Sequence, residues 1–249
     1  MESPPFLEVS AGSIAPVVLT CEHATNRLPS SRGLGALERE LLASHWGWDI
    51  GAWDLTRDLA RRLRTSAIGG GLSRLLIDLN RRVDDPSLIR RTAGAVELPW
   101  NRDVDAKETE RRVLAYHSPY HAEVDRQILR RLVRGIRPLI FAVHSFTPEY
   151  GGRPRRFDSG VLYERHRGLA HRLGRSLRRS GLSVRYNQPY SGMAGMMYAV
   201  DRHGSHHRLP CLELEIRQDL LLERSSIGRI GTAVTAGIEE ILSIEKARS

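Results

Sequence analysis

Residues 16–23 read Pro16-Val-Val-Leu-Thr-Cys21-Glu22-His23, an apolar run that ends abruptly in two polar side chains. Such a run predicts a buried strand, because it is apolar on both faces and rich in β-branched residues. The pattern recurs at Pro138–Val143, which ends at His144, and at Pro210–Ile216, which contains Glu215. These strands, each with an ionisable residue at or near its end, are the basis of the fold prediction.

The rest of the chain alternates short strand patterns with longer helical ones. Strands are also predicted at Arg74–Leu79, Gly160–Tyr163 and Ser183–Tyr186, with Gly69–Gly71 as a break and Asn80–Pro99 as a long loop. Helices are predicted at Leu37–Ser44, Asp49–Arg64, Val104–Arg134 (interrupted at Pro119), Gly168–Ser180 and Ile227–Lys246. This alternation predicts an α/β fold of three layers around a largely parallel sheet. No linker or repeat divides the chain, so we expect a single domain over residues 1–249.

Length and composition exclude several classes of protein. The chain has 249 residues, 41% of them hydrophobic, and no run approaches the roughly 18 apolar residues of a membrane-spanning helix. Disordered and collagenous proteins are excluded by the same composition. Cys21 and Cys211 are too few for a disulfide framework, and no basic and then apolar segment opens the sequence. We therefore expect a cytoplasmic protein.

The net charge is +9, from 38 Lys and Arg residues of which only Lys107 and Lys246 are lysines. Such a charge attracts anions, including nucleic acid. The arginines are nevertheless spread along predicted helix faces and are not interleaved with aromatic residues, as single-strand binding would favour. We therefore expect neither nucleic acid nor membrane as a partner, and the sequence does not indicate an oligomeric state.

Two histidines and a carboxylate follow or end predicted strands. Ligands of open α/β sheets bind outside the carboxyl ends of the strands, so we expect His23, His144 and Glu215 to lie close together there. Imidazole and carboxylate suit zinc, and a catalytic zinc keeps three protein ligands and one open position. Asp49, at a predicted helix start, is the favoured third ligand, with Glu22 as its substitute.

The remaining histidines and cysteines offer weaker alternatives. His117 and His121 have the spacing of a helical zinc pair, but Pro119 separates them, so we expect them to be structural or to support the site from behind. Three more lie in a predicted loop before the last strand: His203, which we expect to help bind substrate, and the solvated pair His206 and His207. Cys21 is an alternative nucleophile that burial disfavours.

Seven segments, in order, resemble the N-formylglutamate amidohydrolase family of carboxypeptidase-like zinc hydrolases over about residues 16–222. They are Cys21–Pro29, His45–Ala52, Ser73–Arg81, Tyr116–His121, His144–Pro148, Asn187–Ser191 and Glu213–Leu220. The resemblance implies a mixed-sheet α/β/α sandwich and hydrolysis of an amide such as that of N-formyl-L-glutamate, which releases formate and glutamate. It therefore implies an enzyme of amino-acid metabolism that acts on a small molecule.

The resemblance also implies roles for individual residues. Zinc ligands fall on His23, Asp49 and His144, and a general base falls on Glu215. Relatives carry a ligand Glu three residues after the first His, where this chain has Asn26, which is why Asp49 is preferred. The substrate-binding candidates are Asn26, Asn80, Arg81, Arg153, Arg155, Asn187, Tyr190, His203 and Arg217, the arginines because guanidinium groups bind carboxylates.

Two other functions remain open from the sequence. One is a peptidoglycan or peptide amidase of related architecture. The other is a non-enzymatic module that binds anions or nucleic acid through the +9 charge.

Overall fold

A computed structural model of the chain describes residues 4–10, 14–30 and 34–248, with side chains as far as residue 245. The strands in these ranges are β1 (Phe6–Val9), β2 (Val17–Cys21), β3 (Ala67–Gly70), β4 (Thr92–Ala93), β5 (Val96–Glu97), β6 (Leu139–Phe146), β7 (Glu149–Tyr150), β8 (Arg153–Pro154), β9 (Ser159–Leu162), β10 (Val184–Tyr186) and β11 (Cys211–Arg217). The α-helices are α1 (Ala36–Ala43), α2 (Ala52–Leu63), α3 (Ala106–Arg112), α4 (Ser118–Leu132), α5 (Arg167–Arg179), α6 (Tyr198–His207) and α7 (Arg224–Arg248).

Seven of the described strands form one sheet, in the order β1-β3-β2-β6-β11-β9-β10. Strands β3, β2, β6 and β11 are parallel, whereas β1 is antiparallel to β3 and β9 is antiparallel to β11. The other strands form two short hairpins, β4–β5 and β7–β8. The mixed, largely parallel sheet of the sequence prediction is confirmed.

Helices cover both faces of the sheet. Successive residues of a strand point to opposite faces, and in the central strands the residues on both faces are apolar. On one face, Leu19, Phe141 and Leu214 belong to a buried cluster shared with helices α2, α5 and α7. On the other face, Val18 and Ile140 belong to a cluster shared with α4 and α6. These layers confirm the predicted α/β/α sandwich.

The predicted strand Arg74–Leu79 is wrong, because residues 71–81 form a loop and the strand is Ala67–Gly70. Glycine is required in this strand, where a break was predicted, because other parts of the chain lie very close to its backbone. A Cβ on Gly70 would lie 2.0 Å from the carbonyl oxygen of Glu22. Leu75 is buried instead in a separate cluster beneath the loop.

Helix α6 corrects a second prediction, because His203, His206 and His207 lie on it and not in a loop. Its buried residues, Ala199, Val200, His203 and Gly204, follow helical spacing. The predicted interruption of the long helix at Pro119 is confirmed. A π-helical segment, Val113–His117, precedes it, and Pro119 lies in the first turn of α4. Strand β1 was not predicted.

Candidate metal and active site

The carboxyl ends of β2, β6 and β11 meet at one edge of the sheet, since these strands are parallel. His23 follows β2, while His144 and Glu215 lie directly opposite each other on β6 and β11. Asp49 precedes α2, and its backbone N–H donates to the carbonyl of His23 (3.0 Å). Residues far apart in the sequence are thereby brought to one point.

Three buried side chains direct their ligand atoms at this point. Asp49 Oδ2 lies 2.7 Å from His144 Nδ1 and 3.4 Å from His23 Nδ1. One atom of each residue lies within 4.8 Å of the others, and the two imidazole centroids are 5.0 Å apart. The structure thus brings together the three residues that the sequence analysis proposed as zinc ligands.

A carboxylate holds the outer nitrogen of each imidazole. The Nε2–H of His23 donates to Asp78 Oδ1 (2.7 Å), and the Nε2–H of His144 donates to Glu22 Oε2 (2.8 Å). Tyr120 donates its hydroxyl to the other oxygen of Glu22 (2.7 Å). Glu22, proposed as a substitute ligand, therefore lies behind His144, away from the three convergent atoms. When the imidazoles are neutral, this arrangement leaves both Nδ1 atoms with a lone pair, as metal ligands require.

The donor set fits a zinc ion. Tetrahedral zinc with bonds of about 2.0–2.1 Å places its ligand atoms about 3.3 Å apart, within the range that these three atoms span. The surroundings also favour a cation. The nearby carboxylates hold the pKa of His144 well above its usual range, although burial lowers it. A metal ion at this point would take the place of that proton.

Two further carboxyl groups, Glu213 and Glu215, lie on one face of β11 beside the donor set. Each has a buried Oε2 atom that accepts no hydrogen bond from the described residues. Burial raises the pKa of Glu213 to about 7 and that of Glu215 well above its usual range. Buried groups with a free oxygen and a raised pKa are the kind that exchange protons during a reaction.

The donor set lies at the floor of a cavity of about 260 Å³. Of the predicted substrate-binding residues, Asn80, Arg81 and Tyr190 line it. Burial raises the pKa of Tyr190, which keeps its hydroxyl protonated and able to donate. Arg74 and Arg90 also line the cavity and were not predicted. A cluster of guanidinium groups above a metal site suits a substrate that carries carboxylates.

Six of the predicted substrate-binding residues lie outside the cavity lining: Asn26, Arg153, Arg155, Asn187, His203 and Arg217. Asn187 is structural, since its Oδ1 accepts from the backbone N–H groups of Tyr163 and Gly192. Arg217 forms ion pairs with Asp158 and Asp219. The structure thus gives Asn187 and Arg217 partners within the protein, and their role in substrate binding stays a prediction.

The other four residues also have surroundings of their own outside the cavity lining. Arg155 lies 5.6 Å from the ring centre of Tyr190, which lines the cavity. His203 is hydrogen-bonded to Asp125 (2.7 Å). Arg153 is exposed in the β7–β8 hairpin, and Asn26 is half-buried in the loop after β2.

Sequence reasoning assigned no role to several residues that the structure places at the site. Asp78 and Arg74 lie four residues apart, and Arg74 Nη2 donates to Asp78 Oδ2 (3.2 Å). The sequence analysis placed both on a predicted strand, whereas they lie on a loop next to the site. Glu213 was detectable, because it lies two residues before Glu215 on the same strand face.

Comparisons with known proteins agree with this geometry. They identify the chain as an enzyme that hydrolyses amide bonds. The sequence model of the family described as N-formylglutamate amidohydrolase matches residues 15–222, so the chain belongs to that family. This membership overturns the non-enzymatic alternative. A search of curated proteins gives no match.

Solved structures share the fold over nearly the whole chain. A gene product of Agrobacterium tumefaciens is 28% identical, with a TM-score of 0.90 and coverage of 99% of this chain and 97% of that one. N-formylglutamate amidohydrolase from Ralstonia eutropha JMP134 is 21% identical, with a TM-score of 0.76 and coverage of 98% and 99%. A bacteriophage poly-gamma-glutamate hydrolase is 8% identical, with a TM-score of 0.50 and coverage of 96% and 90%. None of the helices in the described ranges is long and apolar enough to cross a membrane.

Proposed function

We propose that the chain is a zinc-dependent hydrolase of small N-acyl amino acids, with N-formyl-L-glutamate as the substrate that the family name suggests. The observation that carries the proposal is the convergence of His23, Asp49 and His144 beside the free carboxyl oxygen of Glu215. The products would be formate and glutamate.

His23 and His144 would hold the ion through Nδ1, and Asp49 through a carboxylate oxygen. When bound, zinc lowers the pKa of a water molecule to about 7 and polarises the carbonyl of the amide. Asp78 and Glu22 accept hydrogen bonds from the outer imidazole nitrogens, so they fix the orientation of both rings.

Glu215 is the proposed general base. Its buried Oε2 has no partner among the described residues and can accept a proton from the attacking water. The carboxyl group would then return that proton to the nitrogen of the leaving amine. Such proton transfers contribute typically about 10²- to 10⁴-fold in rate.

Arg81 and Arg90 are the proposed binders of the substrate carboxylates. Both line the cavity; Arg81 forms a long ion pair with Asp78 (3.9 Å), and Arg90 forms none within the described part of the chain. Arg74 is partly engaged, because it pairs with Asp49 and Asp78. Tyr190 also lines the cavity and is the proposed donor to the developing oxyanion.

The cavity favours a small substrate over a large one. Its volume of about 260 Å³ is below the roughly 300–1,000 Å³ of sites for drug-sized ligands. A peptidoglycan fragment would have to extend well beyond it. The buried free thiols Cys21 and Cys211 suit a reducing compartment, so we propose that the enzyme acts in the cytoplasm, in amino-acid metabolism.

The test measures metal and activity on one sample. Protein purified without chelator should contain about one zinc per chain and cleave N-formyl-L-glutamate, with N-acetyl and N-succinyl amino acids and a muramoyl peptide as comparisons. Removal of zinc should abolish cleavage, and added zinc should restore it. Full activity without metal would remove the zinc mechanism, and cleavage of the muramoyl peptide alone would favour the peptidoglycan amidase.

A further inference from the structure

One wall of the cavity is a segment without regular secondary structure, Asp78–Arg81, which we call the wall segment. Asp78 holds His23, while Asn80 and Arg81 line the cavity. Its backbone is held by the bonds from Asp78 N–H to Leu88 O (2.9 Å) and from Arg81 N–H to Asp78 O (3.2 Å), and by side chains that bind the carbonyls of Leu79 and Arg81. Those side chains therefore influence substrate binding without contact with the substrate.

Two histidines bind this backbone: His121, in α4, and His117, the residue before α4. His121 Nε2 lies 3.1 Å from the carbonyl oxygen of Leu79, and His117 Nε2 lies 3.0 Å from that of Arg81. Both imidazoles are buried, and their centroids are 4.4 Å apart. A carbonyl can only accept, so each Nε2 must carry the hydrogen that forms the bond.

A second imidazole and a carboxylate lie behind His121. His203 Nε2 is 3.0 Å from His121 Nδ1, and His203 Nδ1 is 2.7 Å from Asp125 Oδ1. The same oxygen of Asp125 also lies 2.9 Å from His207 Nε2. A chain of three hydrogen bonds thus runs from the partly exposed Asp125 to the carbonyl of Leu79.

Counting hydrogens defines the state in which the chain is complete. Three hydrogen bonds require three hydrogens, whereas two neutral imidazoles carry two. Burial raises the pKa of Asp125, but hydrogen bonds and charge from His203 and His207 outweigh it and hold this pKa well below its usual range, so Asp125 accepts. The histidine pair therefore completes the chain only when it takes up a third proton.

The charged groups around the pair act in both directions. Burial lowers the pKa of His203 below its usual value, and Arg202, with Nη1 3.2 Å from His203 Nδ1, lowers it further, whereas Asp125 and Glu22 raise it without reversing the shift. Charges on His117 and His203, and that of Arg202, lower the pKa of His121 further below its usual range than burial alone would. The chain should accordingly lose its third proton as the pH rises.

We propose that His121 is a positioning residue for substrate binding. It fixes the carbonyl of Leu79 and thereby the side chains of Asn80 and Arg81, while His203 and Asp125 fix its ring. The proposal deepens the proposed function, on which it rests for the identity of the substrate. According to the proposal, residues that contact neither zinc nor substrate affect the KM of the reaction.

A pair of substitutions separates this role from folding. His121→Leu removes the donor to Leu79, whereas His121→Gln places an amide N–H near the position of the imidazole Nε2–H. One hydrogen bond is worth about 0.5–1.5 kcal/mol, so we expect His121→Leu to raise KM for N-formyl-L-glutamate roughly 2- to 12-fold. We expect kcat and zinc content to stay near the wild-type values and His121→Gln to restore most of the affinity. Equal KM in both variants, or loss confined to kcat, would overturn the proposal.

The pH dependence of KM tests the outer part of the chain. In the wild type, KM should rise with pH as the third proton is lost. Asp125→Asn should move that rise to lower pH, by about one unit, because the carboxylate no longer favours the proton. The matched control is Asp201→Asn on the same surface, where Asp201 pairs with Arg165 (2.9 Å). An unchanged profile in Asp125→Asn, or the same shift in Asp201→Asn, contradicts the chain.

Nitrogen-15 NMR of the imidazoles tests the chain without any substrate, so its result stands even if N-formyl-L-glutamate is not cleaved. His121, assigned by loss of its signals in His121→Gln, should carry hydrogen on Nε2 from pH 5.5 to 8.5. The pair should gain one proton as the pH falls through this range. A His121 protonated on Nδ1 alone would overturn the proposal.

Discussion

The protein contains two buried histidine pairs whose rings are equally far apart but whose nitrogens point differently. The centroids of His23 and His144 are 5.0 Å apart, and those of His121 and His203 are 5.1 Å apart. In the first pair, both Nδ1 atoms face one carboxylate oxygen of Asp49. In the second pair, one ring is hydrogen-bonded directly to the other.

This difference distinguishes the proposed metal ligands, His23 and His144, from the pair that supports the wall segment, His121 and His203. The nitrogens of His121 and His203 face the carbonyl of Leu79, each other and Asp125, and are not directed at one common point where a metal would bind. In the first pair, carboxylates hold the outer nitrogens, and the inner ones remain directed at a common point. The direction of the ring nitrogens, and not the proximity of the rings, distinguishes the proposed zinc site from the second pair.

The largest expected effect comes from removing one imidazole of each pair. His144→Ala should lose both bound zinc and amidase activity, because two ligands do not retain the ion. His203→Ala, the matched variant in the other pair, should keep about one zinc per chain. Metal analysis of both purified proteins checks this expectation. Zinc lost from His203→Ala and retained by His144→Ala would reverse the assignment of the two pairs.

The next largest effect concerns Glu215, the proposed general base beside His23 and His144. Glu215→Gln should keep zinc but lower kcat by about 10²- to 10⁴-fold, because the amide cannot take a proton from water. Glu213→Gln, two residues earlier on the same strand face, is the comparison. Steady-state kinetics of the two variants identify the base. A larger loss in Glu213→Gln than in Glu215→Gln would transfer the role to Glu213.

A smaller effect is expected from the carboxylates behind each pair. Asp78→Asn should weaken zinc binding by about 10- to 100-fold, because Asp78 orients His23 and increases its basicity. Asp125→Asn, which changes the corresponding carboxylate behind His203, should leave zinc affinity unchanged. Competition with a chromogenic chelator measures both affinities. Equal weakening in the two variants would mean that the pairs are not functionally distinct.

The smallest effect lies outside both pairs, in α3. Hydrogen bonds from Arg111 and Arg112 hold the pKa of Glu108 at about 2, below its usual 4.5. A lowered pKa stabilises the folded state above about pH 4.5, and this contribution is lost as the pH falls toward about 2. Glu108→Gln should therefore cost about 1 kcal/mol at pH 7, and progressively less in acid.

Urea unfolding between pH 7 and pH 3 measures this difference. Glu110→Gln is the control, since Glu110 is exposed on the same helix. A cost in Glu108→Gln that does not change with pH would show that packing, and not charge, is responsible.

Much of the fold and the ligand set was predictable because both depend on strand patterns. His23, His144 and Glu215 each follow or lie within an apolar run, which places them at the edge of the sheet. Asp49 was harder to predict, because the hydrogen bond that joins its backbone to His23 spans residues 26 positions apart. The sequence could only offer it as one of two acids.

The errors arose where three-dimensional contacts decide the structure. Ala67–Gly70 is a strand because Gly70 packs against the backbone of Glu22, a contact that no local pattern contains. The apolar residues of Arg74–Leu79 are buried although they lie on a loop, so their sequence pattern resembles that of a buried strand. That misassignment also hid Asp78, whose role depends on the loop. His203 was assigned to substrate because the helix that turns it toward Asp125 was not predicted.

The most direct test of the zinc site is anomalous X-ray diffraction at the zinc absorption edge from crystals of the zinc-loaded protein. We expect one peak per chain, at about 2.0–2.2 Å from His23 Nδ1, His144 Nδ1 and one carboxylate oxygen of Asp49. A peak on other residues, or one bound through the Nε2 atoms of these histidines, would contradict the assignment.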